Sequence, residues 1–349
     1  MKVLIVFVTV ALVACSGASD GGVGTARVAA IASDATGTKL VMVGGGIWTS
    51  TNGGVSWVDR APAGLPHIQQ WRSVASDAPG TDLVAVVNGF YDRPDENPAA
   101  FSGDVWTSTD SGAAWIDRTA SSPAHGGAWS SVASDATGTN LVAATQGLGV
   151  FGPGAIWTST DAGATWTNRT GDDAEMGSQS WSSVASDATG KNLVAAGSGS
   201  GVWASIDGGM TWMDRTPVDP KFEASFGGQV EGWSSLASDA TGTKLVAAVD
   251  AGDVWTSTDG GVTWSDAGPT ISWQDWFSVA SDSTGTNLIA VDGLVDGQNG
   301  EIWTSTNGGL TWTDQTTDNP AASGLWQAVA SNAAGNHLVA MGPGAIWIN

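Results

Sequence analysis

The chain is poor in the residues that most often form cross-links or bind phosphates. Its 349 residues include one cysteine and twelve lysines and arginines, against 34 aspartates and glutamates, which gives a formal net charge of −22. A single thiol excludes an intrachain disulfide framework. So few cationic residues form no basic stripe, which argues against nucleic acid as a partner. The same charge repels anionic lipid headgroups, so cations, basic proteins and neutral glycans remain as partners.

Recognised catalytic and metal-binding motifs are also missing. The sequence contains no P-loop, no G-x-S-x-G and no H-E-x-x-H. Its three histidines are His67, His125 and His337. The first two fall in successive loops without a clear third ligand, which makes a poor metal site. We therefore expect no metal and no cofactor.

Long hydrophobic runs are limited to the N-terminus. The mostly apolar stretch from Val3 to Val13 follows Lys2 and is too short to span a bilayer, so residues 1–14 are predicted to be a signal peptide. The stretch ends in Leu12-Val-Ala-Cys15, which resembles the lipobox of bacterial lipoproteins and implies lipidation of Cys15; an ordinary signal peptide is the alternative. We expect residues 15–27 to form a flexible tether and residues 28–349 a single domain.

Internal repetition dominates the remaining sequence. Seven segments share an apolar-Ser-Asp (Asn in the last) pattern, a glycine turn and an apolar run, and each is followed by an Ile/Val-Trp step. The gaps between the tryptophans of these steps are 58, 51, 46, 52, 48 and 44 residues. A period near fifty with several strand signals per unit indicates the blades of a β-propeller. The seven tryptophans are Trp48, Trp106, Trp157, Trp203, Trp255, Trp303 and Trp347.

One unit shows how the strands are predicted. Residues 129–134 form strand one, 141–144 strand two, 156–160 strand three and 165–169 strand four, with glycine turns between them. The sequence therefore predicts an all-β, seven-bladed β-propeller of four-stranded antiparallel blades, whose last blade is incomplete at the C-terminus. Either that blade has three strands, or residues just before Val28 pair beside its third strand.

Between strands three and four, six units carry an eight-residue hairpin that resembles the Asp-box (BNR) motif S-x-D-x-G-x-T-W. The third residue is aspartate in four copies and asparagine in two. Because asparagine keeps the acceptor oxygen but loses the charge, this position must supply a hydrogen bond to the turn, and a catalytic or metal-binding role is disfavoured. The six structural residues are Asn52, Asp110, Asp161, Asp207, Asp259 and Asn307.

Nineteen of the twenty tryptophans follow the repeat, and only Trp273 lies outside it. Packing between blades is the favoured role for these rings. For the set that opens strand one, stacking on sugars around the channel mouth is the alternative. These six are Trp71, Trp129, Trp181, Trp233, Trp276 and Trp326.

A four-stranded meander sends its connections to two opposite faces. The turns between strands one and two and between strands three and four recur with little change, whereas the other connections differ in length and composition. We name these the uniform face and the variable face. Diversity confined to one face is typical of a binding surface, although loop drift gives a similar pattern. The ligand-binding candidates, aromatic or charged residues of the variable connections, are Tyr91, Asp92, Arg93, Asp95, Phe101, Asp172, Asp173, Glu175, Phe222, Glu223, Trp273, Asp275, Asp292 and Asp296.

The repeat W-x-S-V-A-S-D…G…I-W-T-S-T-D-G-G-x-T-W resembles the photosystem II stability/assembly factor family and, more distantly, the sialidase superfamily of propellers. The resemblance implies the fold; it does not imply an activity. Sialidases grip their substrate with three arginines, and the strand-four arginines here are spread over successive blades, so we reject that activity. The favoured function is a non-catalytic, exported scaffold that binds protein or glycan in the cell envelope. A glycoside hydrolase using two loop carboxylates is the alternative.

Overall fold

A computed structural model describes residues 28–62, 70–88, 103–147, 154–171, 175–197, 201–217, 232–269, 274–293, 300–316 and 324–349. These residues form 27 β-strands in seven antiparallel sheets, plus one short 3-10 helix at Met176–Ser178. None of the described helices is long and apolar enough to cross a bilayer. The chain is all-β, as predicted.

Each sheet is one blade, and its strands follow one another in sequence order. The strands of blades 1 to 4 are β1 Val28–Ser33, β2 Leu40–Gly44, β3 Ile47–Ser50 and β4 Val58–Asp59; β5 Trp71–Ser76, β6 Leu83–Val87, β7 Val105–Ser108 and β8 Ile116–Asp117; β9 Trp129–Ser134, β10 Leu141–Thr145, β11 Ile156–Ser159 and β12 Thr167–Asn168; β13 Trp181–Ser186, β14 Leu193–Gly197, β15 Gly201–Ser205 and β16 Met213–Asp214. The strands of blades 5 to 7 are β17 Trp233–Ser238, β18 Leu245–Val249, β19 Val254–Ser257 and β20 Ser265–Asp266; β21 Trp276–Ser281, β22 Leu288–Asp292, β23 Ile302–Ser305 and β24 Thr313–Asp314; β25 Ala328–Ser331, β26 Leu338–Gly342 and β27 Ala345–Ile348.

Strand four is shorter than the sequence predicts. In blade 3 it comprises only Thr167–Asn168, because Thr165 and Trp166 still belong to the hairpin turn, where the backbone N–H of Thr165 donates to the Asp161 carboxylate over 2.8 Å. Blade 7 has three strands among the described residues, which confirms that the last blade is incomplete at the C-terminus. The other arrangement concerns residues before Val28, which lie outside the described residues.

The hydrophobic core lies between blades. The described residues form seven apolar clusters, and each combines residues from two neighbouring blades. The cluster between blades 7 and 1 contains Val339 and Met341 beside Leu40 and Met42. Burying an aromatic ring in such a cluster gives a gross gain of roughly 4–6 kcal/mol before entropy is subtracted. Because blades 7 and 1 share an apolar cluster, the first and last blades pack together in the same way as neighbouring blades do elsewhere.

A closed ring of backbone hydrogen bonds joins the seven blades around the central channel. The residue after the Ser-Asp (or Ser-Asn) step of strand one donates its N–H to the carbonyl of the same residue in the next blade, over 2.9–3.1 Å, and Ala333 of blade 7 donates to Ala35 of blade 1. Side-chain packing also joins blades 7 and 1 next to this ring. The His337 side chain of blade 7 lies so close to Gly37 of blade 1 that a Cβ on Gly37 would be 2.6 Å from the imidazole ring. The ring members are Ala35, Ala78, Ala136, Ala188, Ala240, Ser283 and Ala333.

A β-bulge near the start of strand one completes the repeat in blades 1 to 6. In blade 6, Trp276 pairs with Asp292 and Ser278 with Val291, so that Phe277 is the extra residue. A bulge bends the strand and turns the extra side chain away from its regular direction. The bulge therefore sets the side chain that blade 6 presents at the variable face near the channel.

Candidate functional site

The uniform face uses its polar side chains to build its own turns. In the hairpin of blade 3, Asp161 accepts the Ser159 hydroxyl and the N–H of Thr165, both at 2.8 Å, while Gly163 donates its N–H to the Ser159 hydroxyl at 2.9 Å. In the turn before strand two, Asp135 accepts the N–H groups of Thr137 and Thr139. These carboxylates are consumed by local structure.

Asparagine performs the same task in two hairpins. The side-chain oxygen of Asn52 accepts the N–H of Ser56, and that of Asn307 accepts the N–H of Thr311, both at 2.9 Å. In the four aspartate copies, the hydrogen bonds of the turn outweigh the opposing effect of burial and lower the carboxyl pKa; for Asp259 the largest cause is the Thr263 side chain. In all six hairpins the side-chain oxygen at this position accepts a backbone N–H of its own turn.

The tryptophans that open strand one pack between blades. Their exposed fractions are 0–3%, and the Trp129 ring also donates its N–H to the carbonyl of Gly103 over 3.2 Å. Rings this deeply buried have no face available for a sugar. The packing interpretation is therefore confirmed, and the sugar-stacking alternative is wrong for Trp71, Trp129, Trp181, Trp233, Trp276 and Trp326.

The strand-four arginines do not converge. The Nε atoms of Arg60, Arg118 and Arg169 each donate to a threonine of strand three in the same blade, at 3.2, 2.7 and 2.7 Å. Successive blades thus hold successive arginines apart, as the repeat predicts. Of the remaining arginines, Arg27 and Arg93 lie outside the described residues.

The backbone groups that line the central channel are already hydrogen-bonded to other protein groups. A cavity of about 200 Å³ is bounded by the Ser-Asp-Ala steps of the strand-one ends. Their N–H and C=O groups form the interblade ring, and serine hydroxyls such as that of Ser134 donate to the following carbonyl. We assign this region a structural role.

The structure describes three of the fourteen predicted ligand-binding residues. Glu175 lies at the start of the 3-10 helix between blades 3 and 4, whereas Asp275 and Asp292 meet on blade 6, where the N–H of Gly293 donates to the carbonyl of Asp275 over 2.9 Å. The structure thus brings two of the three together. The others lie outside the described residues: Tyr91, Asp92, Arg93, Asp95, Phe101, Asp172, Asp173, Phe222, Glu223, Trp273 and Asp296.

Asp292 is the most unusual of these residues. It ends strand β22 with an exposed fraction of 1%. Its Oδ1 accepts the backbone N–H of Glu301 over 2.5 Å, while its Oδ2 is buried and has no hydrogen-bond partner among the described residues. Burial is the largest cause that raises the pKa of Asp292; the hydrogen bond from Glu301 opposes it, the nearby carboxylates of Glu301, Asp314 and Asp275 add to it, and the net result is a pKa of about 7. A buried acid without a second partner is typical of functional sites.

Two further carboxyl groups near Asp292 and Asp275, those of Glu301 and Asp250, also have raised pKa values. Burial, followed by the charge of Asp314, raises the pKa of Glu301, although Glu301 Oε2 accepts the Trp303 ring N–H at 3.1 Å. Burial and the charge of Asp275 raise the pKa of Asp250 at the neighbouring edge of blade 5. Blades 5 and 6 therefore concentrate negative charge at the variable face.

Apolar side chains flank the carboxylates. Phe277, the bulged residue, is 50% exposed, and its ring lies directly over Gly293. The N–H of Gly300 donates to the carbonyl of Gly324 over 3.0 Å, which holds the following Leu325, 44% exposed, next to the same loop. We define the blade-6 site as Asp275, Phe277, Asp292, Glu301, Asp314 and Leu325.

The sequence alone did not single out Phe277, Asp314 or Leu325. A β-bulge positions Phe277, and the Gly300–Gly324 backbone bridge positions Leu325. No sequence pattern identifies either the bulge or the bridge. A blade-by-blade alignment would have found Phe277, because serine occupies its position in three other blades.

A second buried carboxylate of the variable face, that of Asp104, differs from Asp292 because it has side-chain partners. Asp104 in blade 2, which is 2% exposed, accepts the Thr119 hydroxyl at 3.0 Å and lies 2.8 Å from Nδ1 of His125. This pair fixes the connection between blades 2 and 3, in which His125 lies, to the residue before strand β7. Among the described residues, no three histidine, cysteine, aspartate or glutamate side chains are arranged to hold a metal ion.

No protein-family model matches the chain, and no curated protein matches it. Solved structures do match in fold. YCF48 bound to D1 peptide has a TM-score of 0.65 at 16% identity, with 93% of each chain covered, and YCF48 from Cyanidioschyzon merolae has 0.63 at 15%, covering 94% of this chain and 97% of that one. The GH74 xyloglucanase from Xanthomonas campestris has 0.70 at 15%, covering 93% of this chain and 52% of the enzyme, so the chain spans about half its length. The protein is thus a seven-bladed β-propeller that shares its fold with a peptide-bound protein and with glycoside hydrolases.

Proposed function

We propose that this protein is a non-catalytic propeller of the cell envelope that binds a protein or glycan through its variable face and acts as an assembly scaffold. The main support is the difference between the two faces. Hairpin and turn carboxylates of the uniform face, such as Asp161 and Asp135, are hydrogen-bonded within their own turns. The variable face of blade 6 holds a buried carboxylate oxygen that has no partner among the described residues. A neighbour in fold that is bound to a peptide supports a protein ligand. The hairpins resemble Asp-boxes, which supports a structural rather than catalytic role for them.

The proposal includes export and anchoring. Residues 1–14 act as the signal peptide, Cys15 carries the lipid, and residues 15–27 tether a domain of residues 28–349. A second acyl chain on the same cysteine makes the anchoring stable. Fractionation tests this part: Cys15→Ser should move the protein from the membrane to the soluble fraction, and an unchanged membrane association would contradict lipidation.

Site-directed photocross-linking tests the binding face. A photoreactive amino acid replaces Phe277 on the variable face or Leu310 on the uniform face, which is 84% exposed, in the soluble form, residues 16–349. We expect envelope proteins to cross-link from position 277 and not from position 310, with a glycan array run in parallel. Cross-linking from position 310 alone, or no ligand in either assay, would contradict binding at the variable face.

A glycoside hydrolase is the second candidate, because GH74 enzymes share the fold. That chemistry needs two carboxyl groups on either side of a bound sugar. The described carboxyl group with the most strongly raised pKa is Asp292, and the acids that act on it, Glu301, Asp314 and Asp275, lie on the same blade rather than across a cleft, which fits this geometry poorly. Reducing ends released from xyloglucan by residues 16–349 would establish the hydrolase and remove the scaffold proposal.

A further inference from the structure

The carboxylate of Asp292 has no counterpart in the other blades. The last position of strand two is neutral in each of them, so the fold itself does not require an acid there. The six counterparts are Gly44, Val87, Thr145, Gly197, Val249 and Gly342.

Blade 3 shows that an uncharged group performs the local structural task. The hydroxyl of Thr145 accepts the N–H of Ala155 over 2.8 Å, and Ala155 holds the same place before strand three as Glu301 does in blade 6. Only one oxygen of Asp292 is therefore needed for the turn. The second oxygen is buried and has no partner among the described residues, an arrangement that disfavours folding unless another group supplies a donor.

The last third of the chain contains no lysine or arginine that could pair with this oxygen. Residues 245–349 contain eleven aspartates and glutamates and no lysine or arginine. The preceding Lys244 points to the uniform face, where its amino group donates to the carbonyl of Thr284 over 2.8 Å. Among the described residues, the charged groups acting on Asp292 are the acids Glu301, Asp314 and Asp275.

The apolar groups beside the acids narrow the type of cation. Phe277 presents half of its ring next to Gly293, and Leu325 is similarly exposed across the Gly300–Gly324 bridge. An aromatic face beside carboxylates suits a cation on an alkyl stem, because the ring attracts the charge while the stem packs on apolar surface. A bare metal ion gains nothing from these two side chains, and the described acids are not arranged to hold one.

We propose that the blade-6 site binds a lysine or arginine side chain from a basic segment of a partner protein, and that this side chain donates the hydrogen bond missing at Oδ2 of Asp292. The inference rests on the proposed binding function and names the ligand chemistry of that face. The charged end lies against Asp292 and Glu301, and its alkyl stem passes between Phe277 and Leu325.

A defined cationic probe tests the proposal. Fluorescence anisotropy measures the binding of octa-lysine and octa-arginine to residues 16–349 at physiological salt, where long-range attraction to the net negative charge is screened. Asp292→Thr should weaken binding at least tenfold while it keeps the local hydrogen bond, as Thr145 does. Glu301→Gln should weaken binding in the same direction, which guards against a misfolded first variant.

The matched control is Asp82→Asn on the uniform face. It removes the same charge, and asparagine already occupies the equivalent position as Asn140, Asn192 and Asn287. We expect its affinity to stay within twofold of the wild type. Equal losses in Asp82→Asn and Asp292→Thr would reduce the effect to net charge and overturn the proposal.

Proton release gives a second readout that a purely structural role would not change. Binding a cation favours the ionised form of Asp292, so complex formation below about pH 7 should release more protons in the wild type than in Asp292→Thr, where Glu301 alone of the two acids remains. Isothermal titration in two buffers of different ionisation enthalpy measures this release, and identical values in both proteins would contradict the site. If cross-linking from position 277 succeeds while the cationic peptides fail, the binding function stands and only this inference falls.

Discussion

Two hairpins of the uniform face carry a side chain where the other four use glycine, and this difference predicts a change in stability. Ala162 in blade 3 has a φ of 55°, while Gly208 at the same position in blade 4 has a φ of 72°. The left-handed region costs a residue with a Cβ about 1–2 kcal/mol, and glycine loses about 0.5–1 kcal/mol more backbone entropy on folding. Ala162→Gly should therefore raise the free energy of unfolding by about 0.5–1 kcal/mol.

The reverse substitution serves as the control. A Cβ on Gly208 would meet its nearest atom, the carbonyl oxygen of Gly190, at 3.6 Å, which is an ordinary contact. Gly208→Ala thus tests backbone conformation alone and should lower the free energy of unfolding by about 0.5–1 kcal/mol. Urea unfolding of both variants beside the wild type gives the comparison. Destabilisation by Ala162→Gly, or no effect of Gly208→Ala, would refute the assignment of these positions to the left-handed region.

Three other predictions concern the core, the hairpins and the blade-6 site. Trp129→Ala should lower the free energy of unfolding by about 3–5 kcal/mol, because it leaves a cavity between blades 2 and 3; a urea midpoint close to that of the wild type would contradict the packing role. Asp161→Asn should change stability by less than about 0.5 kcal/mol, since Asn307 accepts the corresponding backbone N–H and pairs with the corresponding threonine hydroxyl, there as the donor, whereas Asp161→Ala should cost about 1–2 kcal/mol in the same assay. For Asp292, the pKa in the folded chain is about 7 against an ordinary 3.8, so its contribution to stability is complete below about pH 4 and is lost as the pH rises to about 7. A shift of this size corresponds to at most about 4 kcal/mol, and Asp292→Thr should gain up to that amount on the wild type between pH 4 and 8; parallel pH profiles would count against the raised pKa.

The repeat made most of the fold predictable from the sequence. Blade number, strand order, the three-stranded last blade and the burial of rings such as Trp129 all follow from apolar spacing and turn residues. The hairpin chemistry also followed, because Asn52 and Asn307 offered an internal comparison. These features are local, and each unit repeats the same evidence.

Other features could not be predicted because they depend on contacts between distant units. The interblade hydrogen-bond ring uses only backbone atoms, so residues such as Ala35 and Ala333 carry no signal for it. The burial of Asp292 depends on a bulge and on a bridge between two connections, whereas the sequence shows only one more acid in a variable loop. Comparing the blades with one another supplies part of the missing information, since Asp292 stands where Thr145 and five apolar or glycine residues stand elsewhere.

Hydrogen–deuterium exchange with and without octa-lysine tests most directly whether blade 6 presents the binding surface. If the variable face binds the cation, the amides of Phe277, Gly293 and Glu301 should gain protection on peptide addition, and the hairpins at 205–212 and 305–312 should not change. Protection of those hairpins, or equal protection around all blades, would contradict a binding surface at the variable face of blade 6.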